Sequence, residues 1–367
     1  MKSSNNLGIS IFVLFAIVFV QFASPQPVQA ACDGIIYVDA DSTAAIPTGC
    51  SWAFAYTTLQ DALNNPLLES DDQIWVAEGT YYPDEGTGQT DNNRSSTFRL
   101  LDGISIYGGF NGNETLLEDR DENPSTNGTV LSGDIGTLGV DTDNAYHVVT
   151  ATTIVHTTVL DGFTITKGYA TGVETFGGGF FMVNSSPTLT NLIIIDNHSP
   201  VGSGGGIFLS TDPGHTASSP LLTNVTFNLN IAEKGGGLLS QNSNPVLTNV
   251  VFSNNQATNG AGGGMSTQTA SAEDAPVYPV LTDVTFSGNT ATGGGGMINS
   301  NSHTVLTNVT FSGNTANRRG GGMLNEFSNP TLTNVTFFGN VSNESAGGIP
   351  WGGGGMMNVT SNPILNH

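Results

Sequence analysis

Two stretches of the chain bring together side chains that suit carbohydrate chemistry: Phe208, Asp212 and His215 in one, Glu273, Asp274 and Tyr278 in the other. An aromatic ring stacks on the apolar face of a sugar, and carboxylates accept hydrogen bonds from its hydroxyls, so the six read as a ligand-binding set. No catalytic residue is assigned. Asp71 and Asp72 are the only adjacent pair of Asp residues, and none of the six His is followed by His or Cys at metal-ligand spacing. Asp39/Asp41, Asp119/Asp121 and Asp141/Asp143 offer oxygen donors of the kind Ca²⁺ takes, but such pairs in loops are also ordinary solvated turn residues. No cofactor is therefore expected, and any metal is left unassigned.

Repeats decide where these residues stand. Gly-Gly-Gly followed by an apolar residue recurs at Phe180, Ile207, Leu238, Met265, Met297, Met323 and Met356. Leu-Thr-Asn/Asp begins at Leu189, Leu222, Leu247, Leu281, Leu306 and Leu332, and Phe-x-x-Asn closes the same unit at Asn230, Asn255, Asn289, Asn314 and Asn340. Three motifs in fixed order mark a solenoid. Within Leu-Thr-Asn-Val-Thr-Phe the apolar residues do not keep one parity, so a straight strand would put Leu on the wrong face. A bend at Asn, which tolerates the left-handed backbone, returns Leu, Val and Phe to the interior. Each unit thus reads as three short strands and three corners, one coil of a right-handed, single-stranded parallel β-helix, with Asn ladders at two corners.

Two units are longer than the rest, with 33 and 34 residues between successive Leu-Thr-Asn/Asp motifs instead of 25 or 26. Their extra residues, 210–219 and 268–279, follow the Gly-Gly-Gly strand and carry five of the six ligand-binding candidates. Insertions on one edge of a solenoid commonly build its binding face. Beside them, the residue after each interior position (Phe181, Phe208, Leu239, Ser266, Ile298, Leu324, Met357) forms a mostly apolar column. Either it points outwards as an exposed stripe, or bulges turn it inwards.

Composition bounds the rest. Lys+Arg number 8 against 30 Asp+Glu, for a net charge of −22, which excludes a nucleic-acid binder. Twenty-one of the acidic residues precede or include Asp161. Residues 1–30 read as a secretory signal peptide, with Lys2, an apolar run over 9–20 and a small-residue cleavage site at Val28-Gln29-Ala30. No other stretch is long and apolar enough to cross a membrane as a helix. Cys32 and Cys50 in an oxidising compartment are expected to form a disulfide. A short amphipathic helix over 57–63 and a strand and turn over 73–81 make residues 31–95 a cap and first coil. Residues 96–367 are the β-helix repeats and end in mid-coil, which predicts either a fragment or a further module after His367.

The segment Ile74-Trp75-Val76-Ala77-Glu78-Gly79-Thr80-Tyr81 resembles the first coil of the pectin-lyase-like right-handed β-helix superfamily. The Gly-Gly-apolar and Phe-x-x-Asn repeats are similar to those of the polymorphic outer-membrane protein family of surface-exposed or autotransported adhesins. That resemblance implies a secreted or cell-surface protein, attached to the bacterial surface or outer membrane, that binds a polysaccharide or a cell-surface glycan or protein without catalysis. The alternative it carries is a polysaccharide lyase or glycoside hydrolase acting on uronate-rich polymers. For lyases the resemblance implies Ca²⁺ and a basic Arg, and after residue 162 the arginines are Arg318 and Arg319, in no family motif. The Gly-His-Gly element of the hydrolases is absent. Oligomeric state is not legible.

Overall fold

The computed structural model describes residues 32–271, 275–343 and 352–366. The expected signal peptide, Glu273 and Asp274 lie outside the described residues. Short strands stack in parallel into three sheets of nine, seventeen and six strands, wound as a right-handed parallel β-helix. One middle coil illustrates the rest. Met297–Ser300 lies in the nine-strand sheet, Val305–Thr307 and Thr310–Ser312 in the broad sheet, and Thr315–Arg319 in the six-strand sheet.

Register places like on like. Met297 lies opposite Met265 and Met323, Leu306 opposite Leu281 and Leu332, and Phe311 opposite Phe286 and Phe337. The expected bend is present: Asn224, Asn249, Asp283, Asn308 and Asn334 all have φ between 53° and 56°. It brings Leu306, Val309 and Phe311 into the core, each 0% exposed. Phe227, Phe252, Phe286, Phe311 and Phe337 stack with centroids 4.6–4.9 Å apart.

Both Asn ladders form, and they run in opposite senses. At the buried corner each side-chain amide donates towards the next coil, Asn230 to Asn255 (3.0 Å), Asn255 to Asn289 (3.0 Å), Asn289 to Asn314 (2.9 Å). At the exposed bend each donates backwards, Asn224 to Asn191 (2.9 Å), Asn249 to Asn224 (2.8 Å), Asn334 to Asn308 (2.8 Å). The exposed ladder ends on Asp161, which accepts from Asn191 and is paired with Arg120 at 2.7 Å.

The glycine triplets tie the other motifs together. The first glycine turns the corner in the left-handed region, as at Gly294 (φ 58°). The third has no room for a side chain. A Cβ on Gly296 would lie 2.7 Å from the Gly322 carbonyl oxygen, 2.8 Å from Phe311 Cδ1 and 3.3 Å from Asn314 Cγ. The triplet, the Phe stack and the Asn ladder are therefore one packing unit.

At the start of the fold Cys32 and Cys50 are joined by a disulfide. A short helix, Leu59–Leu63, is capped by Thr58, whose side chain accepts from the Asp61 amide. It buries Leu59, Ala62 and Leu63 against the core that includes Ile36 and Val38. Gln73–Ala77 and Gly79–Tyr81 follow as strands.

Candidate functional site

The outer face of the nine-strand sheet carries two ranks of side chains, because alternate residues of each strand point away from the core. One rank is Phe181, Phe208, Leu239, Ser266, Ile298, Leu324 and Met357; the other includes Gln241, Gln268, Ser300 and Glu326. The first rank is neither the open stripe nor the inward bulge that the sequence offered. Its members keep strand register and stay out of the central core cluster, yet Phe208 is 7% exposed, Leu239 1%, Ile298 7% and Leu324 3%. Described segments leading into glycine triplets pack beside them, as Phe176 does on Phe208 and as Ala261, Gly293 and Arg319 do about Ile298 and Leu324, which the repeat pattern does not encode because the segments vary in length.

Those segments form a wall, and one position sets its profile. The residue immediately before each triplet stacks coil upon coil as Phe176, Ser203, Lys234, Ala261, Gly293 and Arg319. Large residues at Lys234 and Arg319 stand on either side of two small ones. The small pair opens a groove of about 430 Å³ whose floor includes Ser266, Gln268, Ile298 and Glu326. Ser266 contributes by breaking the apolar rank at the same level.

Local backbone aims the cations. Ala316 lies opposite Ala291 but Arg319 opposite Gly293, so the strand Thr315–Arg319 holds an extra residue in a bulge. The bulge presents both Arg318 and Arg319 to the groove. On the far side the stem of Lys234 uses the missing side chain of Gly260, whose Cβ would come within 2.4 Å of Lys234 Cγ. Three of the chain's eight Lys and Arg thus line one groove. Arg319 Nη1 lies 3.5 Å from Glu326 Oε1, with both side chains partly exposed.

Beyond Lys234 the floor becomes aromatic. Phe208 is stacked between Phe181 (5.6 Å) and Phe176 (4.7 Å), and Phe176 is 41% exposed. His147 closes the stack at 5.0 Å from Phe181 and is tied by Nδ1 to the Gly177 carbonyl at 2.9 Å. Burial holds the His147 imidazole below its ordinary pKa, against the opposing pull of that bond and of Glu174.

Of the residues singled out from sequence, Phe208 belongs to the floor, and Asp212, His215 and Tyr278 stand on the other side of this sheet. Asp212 is exposed and joined to Asn184 by its carboxylate and its amide, at 2.9 and 2.8 Å. His215 is exposed beside it, its amide donating to the Asp212 carbonyl. Tyr278 is 53% exposed, lies edge-on to His303 at 5.5 Å and is anchored by its amide to Asn244. Both loops leave the fold at the corner after the nine-strand sheet, whereas the cations stand at the corner before it. Lys234, Arg318 and Arg319 were missed as a set. Their signal was phase in the repeat, since Lys234 and Arg319 each precede a triplet. Among the described residues no three His, Cys, Asp or Glu side chains converge to hold a metal.

Comparison with known proteins agrees with the fold. Residues 283–296 match the repeat of the Chlamydia polymorphic membrane proteins. The chain is similar to the crystal structure of the pectate lyase Pel9A, with a TM-score of 0.52 and 13% identity over 90% of this chain and 77% of that one. No curated protein sequence matches it.

Proposed function

We propose that the chain is a secreted or cell-surface β-helix that binds an anionic glycan along the outer face of the nine-strand sheet. The observation that carries this reading is the placing of Lys234 and Arg318/Arg319 about the groove of an otherwise acidic protein. Lys234 and Arg319 are three coils apart, ~14 Å at ~4.8 Å per coil. They would meet separate charges on a polymer lying along the helix axis, not one small ion. The apolar rank supplies faces on which sugar rings stack, and Gln241, Gln268 and Ser300 supply polar partners for hydroxyls. Tyr278, Asp212 and His215, at the opposite corner, would form the second wall, with Glu273 and Asp274 in the same loop as Tyr278. An adhesin-like role suits this arrangement, and the likeness of residues 283–296 to a membrane-protein repeat supports a surface location.

The test is titration of polygalacturonate and a neutral glucan against the purified chain. The acidic polymer should bind and the neutral one should bind much more weakly. Replacing Arg318 and Arg319 together by Ala should weaken the acidic polymer at least tenfold and flatten its salt dependence. Equal binding of both polymers, unaffected by that variant, would refute the assignment. Release of an unsaturated product during the titration would instead place the chain among the lyases.

A further inference from the structure

We infer that Glu326 is an internal competitor for the groove: its carboxylate occupies Arg319 in the free protein and is displaced by a carboxylate of the ligand. The inference rests on the groove being a site for anionic glycans and adds how its affinity is set. Among the described residues Glu326 is the only acidic one lining the groove, beside three cations. It stands in the outward rank next to Ser300, on the strand paired with Met297–Ser300, so its side chain rises from the floor where a sugar would lie.

The contact with Arg319 is loose. At 3.5 Å it is longer than the about 2.7–2.9 Å of a strong charge-assisted hydrogen bond, and the side chains are 38% and 30% exposed. A pair in that setting contributes little to stability and exchanges readily for another carboxylate. It nevertheless removes one unit of positive charge from the groove until a ligand arrives. A neutral polymer has no carboxylate with which to displace Glu326 and leaves the pair in place, so the pair lowers affinity only for ligands that carry the competing charge.

Glu326→Gln keeps the shape and removes the charge. It should tighten polygalacturonate roughly fivefold, the equivalent of one exposed ion pair, and leave fully methyl-esterified polygalacturonate unchanged. Glu326→Ala should give the same gain, since charge and not shape is at issue. Adding Arg319→Gln to Glu326→Gln should abolish it. An unchanged or weakened affinity of both Glu326 variants, with wild-type binding intact, overturns the competitor role and leaves the glycan reading standing. Equal gains on the acid and the ester also overturn it, as these would report a reshaped floor. Binding by Glu326→Gln where the wild type shows none supports it. Failure of wild type and variants alike removes the glycan reading and this inference together.

Discussion

At the scale of single residues, Asp283 is the flaw in an otherwise continuous ladder. It accepts from Asn308 at 2.9 Å, as an Asn would, but has no amide to donate to Asn249 in the preceding coil. Asp283→Asn should restore that bond and raise stability by about 0.5–1.5 kcal/mol in chemical denaturation. No gain would mean that solvent serves Asn249 equally well. His147 gives a second expectation. Burial depresses its folded pKa, so the unfolded chain takes up the proton first as pH falls. Stability present above pH ~6.5 is lost as pH falls through the lower folded value. Melting temperature measured from pH 7.5 to 5 should drop less steeply in His147→Gln than in the wild type. Asp283 stands out in the sequence as the Asp of the Leu-Thr-Asn/Asp motif, whereas the burial of His147 does not, because the ring is covered by neighbours about 30 residues away.

At the scale of the coil, the packing unit predicts which substitutions hurt. Phe311→Ala removes a ring that is 0% exposed and stacked on both sides, and should cost roughly 3–5 kcal/mol. Gly296→Ala adds only a methyl, yet that methyl meets the Gly322 carbonyl and the Phe311 ring at once. It should cost about 1–3 kcal/mol in urea unfolding, as overpacking does. Gly313→Ala serves as a control with nothing near its Cβ, although its φ of 62° still strains an Ala. These elements were legible in the sequence because stacking forces identical residues to recur at the same phase. The groove was less so. Phe208 was readable as part of the outer rank, but what covers that rank comes from segments of irregular length and composition. Lys234 and Arg319 share a repeat phase that becomes visible only once the triplets are aligned on their preceding residue.

At the scale of the molecule, every coil bonds chiefly to the one before and the one after, so damage should stay local. The bridge between Cys32 and Cys50 closes a loop with a sequence separation of 18, for which chain entropy gives about 3 kcal/mol. In Cys50→Ser, amide exchange should quicken over residues 32–63 and stay slow in the Phe286 and Phe311 coils. Uniform acceleration would show that the solenoid unfolds as one body. The acidic excess of the chain places the three groove cations against a repelling background that salt also screens, so binding of a polyanion should weaken with salt less steeply than three cations on a neutral surface would give.

The opposed directions of the two Asn ladders have a consequence for how such a chain lengthens. Each coil presents acceptors and donors on its upper surface that its own lower surface complements, so a whole unit duplicated in the gene fits between its parents without any new contact having to be invented. A duplication of 25 residues starting anywhere in the unit restores the same corners, whereas a gain or loss of one residue within a strand turns core and surface side chains over. Length is therefore the easiest property of this molecule to change, in steps of ~4.8 Å. Each added step carries along its own stretch of outward-facing rank, and the residue before its triplet decides whether that stretch is open, apolar or charged.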